Sequence, residues 1–277
     1  MNINKLNGLK ENGIITDIHL YEEVGSTNDM AREFAKNCLA KEDRLQINEL
    51  FISELQSSGK GRLGRNWTSP AGTGIWMSLA TRVDLEGDKI PGITLLAAMC
   101  VARAIRSIAL QIGIHNLDVK IKWPNDIVIN KKKVCGILTE LITDPKGGGY
   151  VVCGIGINVN TTYFPNEIRD KAASLQSESG VEWDRESIVA SVISELTSFI
   201  RRYETEKSLG FIKDEYNNLL VSLDKEVVLV ENGERGEETF ISRGIDETGA
   251  LLVEDSEGEI KRIISGEVSV RGVLGYV

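Results

Sequence analysis

The amino-acid sequence predicts an α/β (α+β) protein in which helices cover a mixed β-sheet and a small β-barrel follows at the C-terminus. Helical and strand-like segments alternate up to residue 221, without the regular strand–helix–strand rhythm of an all-parallel sheet. Beyond Val221 the segments are short, strand-like and separated by turns at regular spacing, which is typical of a small barrel. The 277 residues, 42% of them hydrophobic, suffice for a large and a small core. We therefore divide the chain into domains at residues 1–221 and 222–277.

Three helices are predicted from apolar periodicity and capping residues. The clearest runs from Asp184 to Glu204, where apolar side chains recur at spacings of one and three and the first residue suits an N-cap. A second helix is expected from about Thr94 to Ile112. A third is expected from Thr27 to about Cys38, with Ser26 as its N-cap and Asp29 three residues further on, a capping-box spacing.

Strands are predicted between these helices and in the C-terminal domain. The strand-like runs of the first domain are Ile75–Thr81, Ile127–Ile129, Gly136–Thr143 and Tyr150–Val159. In the second domain, turn signals at residues 231–233, 246–249 and 255–258 separate short strands.

The charge balance limits the kind of partner. The chain has 32 Lys and Arg against 41 Asp and Glu, a net charge of −9. Residues 222–277 hold 6 of these cations and 13 of these acids, a net −7, which leaves 26 against 28, or −2, for residues 1–221. A surface that binds polyanions broadly would have the opposite sign. Bound anions are therefore expected on a local basic island, and DNA is not expected as a partner.

Cysteine and histidine usage argues for a reducing compartment and against metal chemistry. The four cysteines contain no C-x-x-C pair and lie beside apolar residues, as buried thiols do, so we expect a cytoplasmic protein. His19 and His115 are far apart in sequence, which argues against a zinc site or a His-based triad. No signal peptide is apparent, and the most apolar stretch, Ile93–Ile105, is interrupted by Arg103, so no membrane association is expected.

The segment GKGRLGRNW, residues 59–67, places three glycines and three cations before an indole. It satisfies G-x-G-x-x-G formally, but the residues after it do not open a helix, which the dinucleotide-binding fold requires. It also lacks the spacing of a Walker A loop. We interpret it as a loop that closes around a ligand while Lys60, Arg62 and Arg65 neutralise phosphates. A solvated surface turn is the alternative, and it does not account for glycine, charge and Trp67 together.

Two further segments are compatible with a ligand site, and each has a simpler interpretation. KWPND at residues 122–126 is also a common Asx-type connector. GIGINVN at residues 154–160 alternates glycine with β-branched residues, which suits a strand that a ligand approaches closely, or a buried strand under a helix.

Taken together, the motifs resemble the biotin protein ligases. STN at 26–28, GKGRLGRNW, KWPND, KVCGILTE at 133–140, GIGINVN, SRGIDETGALLVE at 242–254 and GEVSVRG at 266–272 occur in the family's order, from about residue 20 to the end. The resemblance implies a fold like that of the class II aminoacyl-tRNA synthetases, with an SH3-like C-terminal barrel. It implies that biotin and ATP give biotinyl-5′-AMP and pyrophosphate, after which biotin passes to a lysine of a carboxylase's biotin carboxyl carrier domain.

The resemblance also assigns residues. Arg62 and Lys133 are implied as catalytic, near the biotin carboxylate and the α-phosphate. Biotin-binding residues are implied at Ser26, Thr27, Asn28, Gln56, Lys60, Gly61, Arg62, Lys133, Gly136, Gly154 and Gly156. ATP-binding residues are implied at Arg62, Arg65, Trp67, Asn125, Asn158 and Arg271, with Asp126 helping to hold Mg²⁺. The resemblance leaves a homodimer through the sheet edge open.

The sequence departs from the family pattern in three places. Lys60 stands where the family has an arginine, so the charge is kept and the planar fork is lost. Ala172 and Ala173 occupy the region where the best-known bacterial member has an adenylate-lid tryptophan. The first motif begins at Ser26, which leaves too few residues before it for the winged-helix domain of the repressor members.

Three alternative functions follow from these observations. A lipoate or octanoyl transferase shares the fold but is expected to lack the GKGRLGRNW loop. A regulator that senses biotinyl-AMP and binds DNA is disfavoured by the acidic balance. A catalytically inactive biotin-binding module would have lost Lys133 or Arg62, and both are present.

Overall fold

A computed structural model of the chain describes residues 1–41, 48–143, 149–231, 234–264 and 268–272. Its larger unit is a seven-stranded sheet in the order β1-β2-β3-β7-β6-β5-β4. The first two strands pair in parallel and all other neighbours are antiparallel, so the predicted mixed sheet is confirmed. The strands are Asp17–Val24 (β1), Asn48–Gln56 (β2), Gly74–Val83 (β3), Val119–Lys122 (β4), Asp126–Ile129 (β5), Lys132–Thr143 (β6) and Gly149–Asn158 (β7).

Helices cover both faces of this sheet. They are Asn7–Glu11 (α1), Thr27–Ala40 (α2), Ile90–Gln111 (α3), Leu175–Ser179 (α4), Arg185–Glu206 (α5) and Gly210–Leu219 (α6). Side chains alternate between faces along β2: Leu50 and Ile52 join the main core with α3 and α5, whereas Phe51 packs with Ala31 of α2. The sheet is therefore the middle layer of three.

The helix predictions hold with shifted ends. Helix α5 begins after Asp184, whose carboxylate accepts a hydrogen bond from the Ser187 amide at 3.1 Å, as the N-cap prediction requires. Helix α3 begins four residues before the predicted start, because Pro91 suits the first turn of a helix. Although we expected its apolar stretch to be too short, α3 with the turn before it is long and apolar enough to cross a membrane. Most of its apolar residues instead lie buried in the main core.

The predicted cap of α2 needs a correction. Ser26 occupies the N-cap position, but its side chain makes no capping hydrogen bond. The Gln56 side chain from the end of β2 accepts from the Thr27 amide instead, at 2.8 Å. A neighbouring strand thus caps this helix, and the Ser26 hydroxyl is not used for that purpose.

The smaller unit is a five-stranded antiparallel sheet in the order β11-β10-β9-β8-β12. Its strands are Glu226–Glu231 (β8), Glu234–Ile245 (β9), Leu251–Glu254 (β10), Ile260–Ile263 (β11) and Val268–Gly272 (β12). The predicted turns at 246–249 and 255–258 are present, each ending in a glycine with a φ of +87°. The turn predicted at 231–233 and the start of the 266–272 motif extend outside the described residues.

The two units are in direct contact. The Trp123 indole, after β4, donates to the Gly249 carbonyl at 3.2 Å, and the Leu209 amide donates to the Glu247 carbonyl at 2.7 Å. All four cysteines are buried thiols, as predicted. Burial raises the pKa of Cys100 and Cys135, and it raises the pKa of Cys153 to about 12.

Candidate active site

Two adjoining cavities open on one side of the larger sheet. The first lies between the start of α2, the segment 56–69 and the glycines of β6 and β7. The second is a larger cleft between segments 61–70, 122–126 and 158–172 and the C-terminal sheet. The two share a wall of five residues, Gly61, Arg62, Trp67, Asn125 and Lys133.

Every residue that the sequence assigned to the site lines one of these cavities. Those on the first are Ser26, Thr27, Asn28, Gln56, Lys60, Gly136, Gly154 and Gly156, together with the shared wall. Those on the second are Arg65, Asp126, Asn158 and Arg271, together with the same wall. Residues that are up to 245 positions apart in sequence are thus brought to one place.

Hydrogen bonds fix the polar end of the first cavity. Gln56 accepts from the Thr27 amide and hydroxyl at 2.8 and 3.1 Å and donates to Ser69 at 2.9 Å. The Ser78 hydroxyl lies 2.7 Å from Thr27 Oγ1 and 2.6 Å from Asn28 Oδ1, and its one hydrogen can be donated to either oxygen. These side chains are largely buried, so the network holds their oxygens and amides in set directions.

Asn28 is committed to the protein itself. Its amide nitrogen donates to Glu140 Oε2 at 2.8 Å and to the Leu138 carbonyl at 3.4 Å, and its oxygen accepts from Ser78. Both amide hydrogens are therefore used within the protein. This arrangement suits a residue that positions its neighbours on α2.

Glycines form the floor of the first cavity because side chains would not fit there. Gly136 and Gly156 face each other across β6 and β7. A Cβ atom at these positions would lie 2.9 and 2.6 Å from the Trp67 indole, and one at Gly154 would lie 1.9 Å from Asn28 Oδ1. The glycines are thus approached closely by Trp67 and Asn28, while the approach of a ligand to this strand stays a prediction.

The shared wall concentrates charge. Lys133 Nζ lies 2.6 Å from Asp126 Oδ1 and 5.1 Å from the centre of the Trp67 ring. Arg62 donates to Asn125 Oδ1 at 2.9 Å. Burial lowers the pKa of Arg62 below its usual value, while the nearby Asp126 opposes that shift. Arg62 and Lys133 are thus two cations at the boundary between the cavities, and each can contact a group bound in either cavity.

The structure adds residues that the sequence analysis did not assign. Lys122 lines the second cavity, where burial lowers its pKa to about 7 against the opposing effect of Asp126. Its place in the KWPND motif was the available signal. Tyr163 and Phe164 line the same cavity as Ala172, so the cavity has aromatic side chains although Ala172 and Ala173 stand where the lid tryptophan is expected.

Lys60 contacts Asp29, which the sequence suggested only as part of the capping box of α2. Its ammonium group lies 2.5 Å from Asp29 Oδ1, in the first turn of α2. The lysine that replaces an arginine of the family is therefore used in an ion pair at the surface.

Comparison with known proteins places these features in one family. Residues 26–158 match the Biotin/lipoate A/B protein ligase family, and residues 230–271 match the Biotin protein ligase C terminal domain. The bifunctional ligase/repressor BirA of Bacillus spizizenii is 37% identical over 91% of this chain and 73% of its own length. BirA of Escherichia coli is 30% identical, over 82% of this chain and 68% of its own.

Similarity to solved structures supports the same family. The biotin protein ligase from Aquifex aeolicus in complex with biotin and ATP has a TM-score of 0.73 and 29% sequence identity, covering 93% of this chain and 100% of that one.

Proposed function

The chain belongs to the biotin protein ligases of the biotin/lipoate A/B protein ligase family, and we propose that it activates biotin with ATP and transfers it to a lysine of a biotin carboxyl carrier domain. The observation that carries the proposal is the pair of cavities with a shared wall of Arg62 and Lys133. Biotin and ATP are both present in the Aquifex aeolicus complex, which has the same fold.

In the first step the biotin carboxylate attacks the α-phosphorus of ATP. We assign biotin to the first cavity, with Ser26, Thr27 and Gln56 near its ureido group and the glycines under its rings. We assign ATP to the second, between Trp67, Arg65, Asn158 and Arg271. The carboxylate and the α-phosphate then meet at the shared wall.

Arg62 and Lys133 reduce the repulsion between these two anions and stabilise the charge that develops in the transition state. The bond from the α-phosphorus to the bridging oxygen breaks, pyrophosphate leaves and biotinyl-5′-AMP remains. Because donors that already lie where the charge develops stabilise it strongly, their contribution is expected to be large.

In the second step an unprotonated lysine of the acceptor attacks the acyl carbon of the adenylate. An amide forms, AMP leaves, and the lysine loses a proton to solvent. The segment 56–69 borders the first cavity and limits the access of water to the mixed anhydride until the acceptor arrives.

We also propose that the reaction uses Mg²⁺ and that Asp126 helps to hold the ion. Among the described residues there is no group of three or more His, Cys, Asp or Glu side chains that would hold an ion alone. Mg²⁺ commonly binds through one or two carboxylates together with substrate phosphates, which fits one carboxylate on the wall of the second cavity. The ion would supply further neutralisation of phosphate charge.

Further parts of the proposal rest on the sequence. We propose that residues 1–221 form the catalytic domain, with a fold like the class II synthetases, and residues 222–277 an SH3-like barrel. We place the protein in the cytoplasm, which the buried thiols support. DNA is not among the proposed partners, because a net charge of −9 opposes broad contact with it. We make no proposal on whether the chain forms a homodimer.

Mass spectrometry of an acceptor domain tests the proposal. We expect a carrier domain incubated with the enzyme, ATP, Mg²⁺ and an equimolar mixture of biotin and lipoate to gain the mass of biotin less water. The gain should disappear when ATP is omitted or the acceptor lysine is replaced by arginine. A gain that matches lipoate alone would contradict the biotin assignment and favour the transferase alternative.

A further inference from the structure

The segment between Gln56 and Ser69, here called the glycine-rich hairpin, doubles back on itself. Gln56 bridges Ser69 at its base and Lys60 bridges Asn66 further out, while the Gly61 amide donates to the Arg65 carbonyl at 2.7 Å. Its tip contains left-handed backbone at Leu63, with a φ of 56°. The hairpin is therefore an ordered arm that borders the first cavity.

Two charged side chains hold the hairpin to the rest of the site. Arg62 donates to Asn125 on the wall between the cavities. Lys60 pairs with Asp29 on the outer surface, where the side chains of the two residues are 41% and 45% exposed. The first contact lies where we place the reacting groups. The second lies on the outer surface: Lys60 also lines the first cavity, whereas Asp29 lines neither cavity.

The Asp29 contact also connects to the interior. Arg32, one turn further along α2, lies 3.9 Å from Asp29 and 3.3 Å from Glu140. Glu140 in turn accepts a hydrogen bond from Asn28 at 2.8 Å. Opposite charges thus alternate from the hairpin through α2 to β6.

We propose that the Asp29–Lys60 ion pair is a latch that keeps the glycine-rich hairpin closed while the adenylate waits for its acceptor. The inference rests on the proposed function. When an anionic ligand engages Arg62, the Asn125 contact is exchanged for a ligand contact, whereas the latch persists because Asp29, which lines neither cavity, continues to hold Lys60 at the outer surface. Asp29 is a positioning residue in this scheme, acting through the hairpin.

The expected effect is modest because the pair is partly exposed. Ion pairs of this kind stabilise a contact by an amount equivalent to a factor of about two to five. Removing the latch should therefore release biotinyl-5′-AMP about two to five times faster. Salt should have the same effect on the wild type, since screening weakens exposed pairs.

The test measures the release of radiolabelled biotinyl-5′-AMP from the isolated enzyme–adenylate complex after a chase with unlabelled biotin and ATP. Asp29→Asn and Lys60→Met should each accelerate release, and the double variant should release no faster than either. Asp29→Glu should restore slow release. Glu33→Gln, which removes one carboxylate from an exposed position of the same helix, is the matched control and should release at the wild-type rate.

Ionic strength gives a second readout. Release from the wild type should approach that of Asp29→Asn as salt rises, while Asp29→Asn itself should change little. Two results would contradict the latch without contradicting the proposed function. One is an equal rate of adenylate release from the wild type and Asp29→Asn. The other is a double variant whose acceleration is the product of those of the single variants. Failure of the wild type to form any labelled adenylate would contradict the proposed function, and the latch with it.

Discussion

Lys133 is the residue on which the two cavities converge. Its ammonium lies 2.6 Å from the Asp126 carboxylate and faces the Trp67 ring at 5.1 Å, so one carboxylate and one aromatic face orient it. It lines both cavities at once. A cation held in this way is available to a carboxylate on one side and a phosphate on the other.

We therefore expect Lys133→Ala to lower the rate of biotin-dependent pyrophosphate release by about 10²- to 10³-fold, the usual loss for one donor to a developing oxyanion. Lys131→Ala, which removes an exposed lysine two residues away, is the control and should retain the wild-type rate. Circular dichroism should confirm that both variants are folded. A Lys133→Ala variant with wild-type rates would remove Lys133 from the mechanism.

Motifs identified the side chains at the reacting end of the site and missed the contacts that hold the site together. Lys133 and Arg62 lie in segments whose composition is unusual over a few consecutive residues. The Lys60–Asp29 pair joins residues 31 apart, and the Glu140–Asn28 hydrogen bond joins residues 112 apart. A contact of that kind leaves no local pattern, because the sequence around one residue does not indicate its partner.

At the scale of single elements, the N-terminus of α5 has a strong local signal. Asp184 accepts from the Ser187 amide and hydroxyl at 3.1 and 2.6 Å and pairs with Lys5 at 2.6 Å. The hydrogen bond from Lys5, followed by that from Ser187, holds the pKa of Asp184 well below its usual range. The ionised form is therefore favoured in the folded state.

We expect Asp184→Ala to lower the free energy of unfolding by about 1 kcal/mol at pH 7, the usual cost of losing an N-cap. A depressed pKa stabilises the fold above the pKa of the unfolded state, so the difference from wild type should shrink below about pH 4. Urea denaturation at pH 7 and pH 3 measures this. Glu182→Ala, at an exposed position nearby, is the control, and a pH-independent loss would contradict the cap's role.

Elements with strong periodicity were predicted and those made by tertiary contact were not. Helices α5 and α3 were predicted from the sequence, whereas β1, β2, β4 and α6 were not. Strand β2 contains two buried polar residues, Asn48 and Glu49. Asn48 accepts a hydrogen bond from the Thr81 hydroxyl at 2.6 Å, and the Glu49 carboxylate lies 2.6 Å from His19. Buried polar residues hide the apolar pattern that marks a strand, and their partners lie on neighbouring strands.

At the scale of the whole molecule, the turn at 246–249 connects the two units. Gly249 accepts from the Trp123 indole, and a Cβ atom there would lie 2.9 Å from both Leu95 and Leu209. The turn at 255–258 has the same closing φ of +87° at Gly258, with nothing within 4 Å of a Cβ. The two glycines thus differ in packing and share a backbone requirement.

Alanine variants of Gly249 and Gly258 allow the contribution of the contact between the units to the free energy of unfolding to be measured. Gly258→Ala should cost about 1–2 kcal/mol in the free energy of unfolding, because an alanine there adopts a left-handed backbone. Gly249→Ala should cost the same strain and about 1–3 kcal/mol more from overpacking. Chemical denaturation of both variants gives the difference, and equal losses would show that the turn does not couple the units.

The buried cysteines have a practical consequence for watching the hairpin move. The thiolate is the form that reacts with maleimides, and raised pKa values keep Cys100, Cys135 and Cys153 protonated at neutral pH inside the core. Leu63 at the hairpin tip is 56% exposed. A Leu63→Cys variant would therefore accept a fluorophore at the tip far faster than at these three thiols, and hairpin opening would become an optical signal.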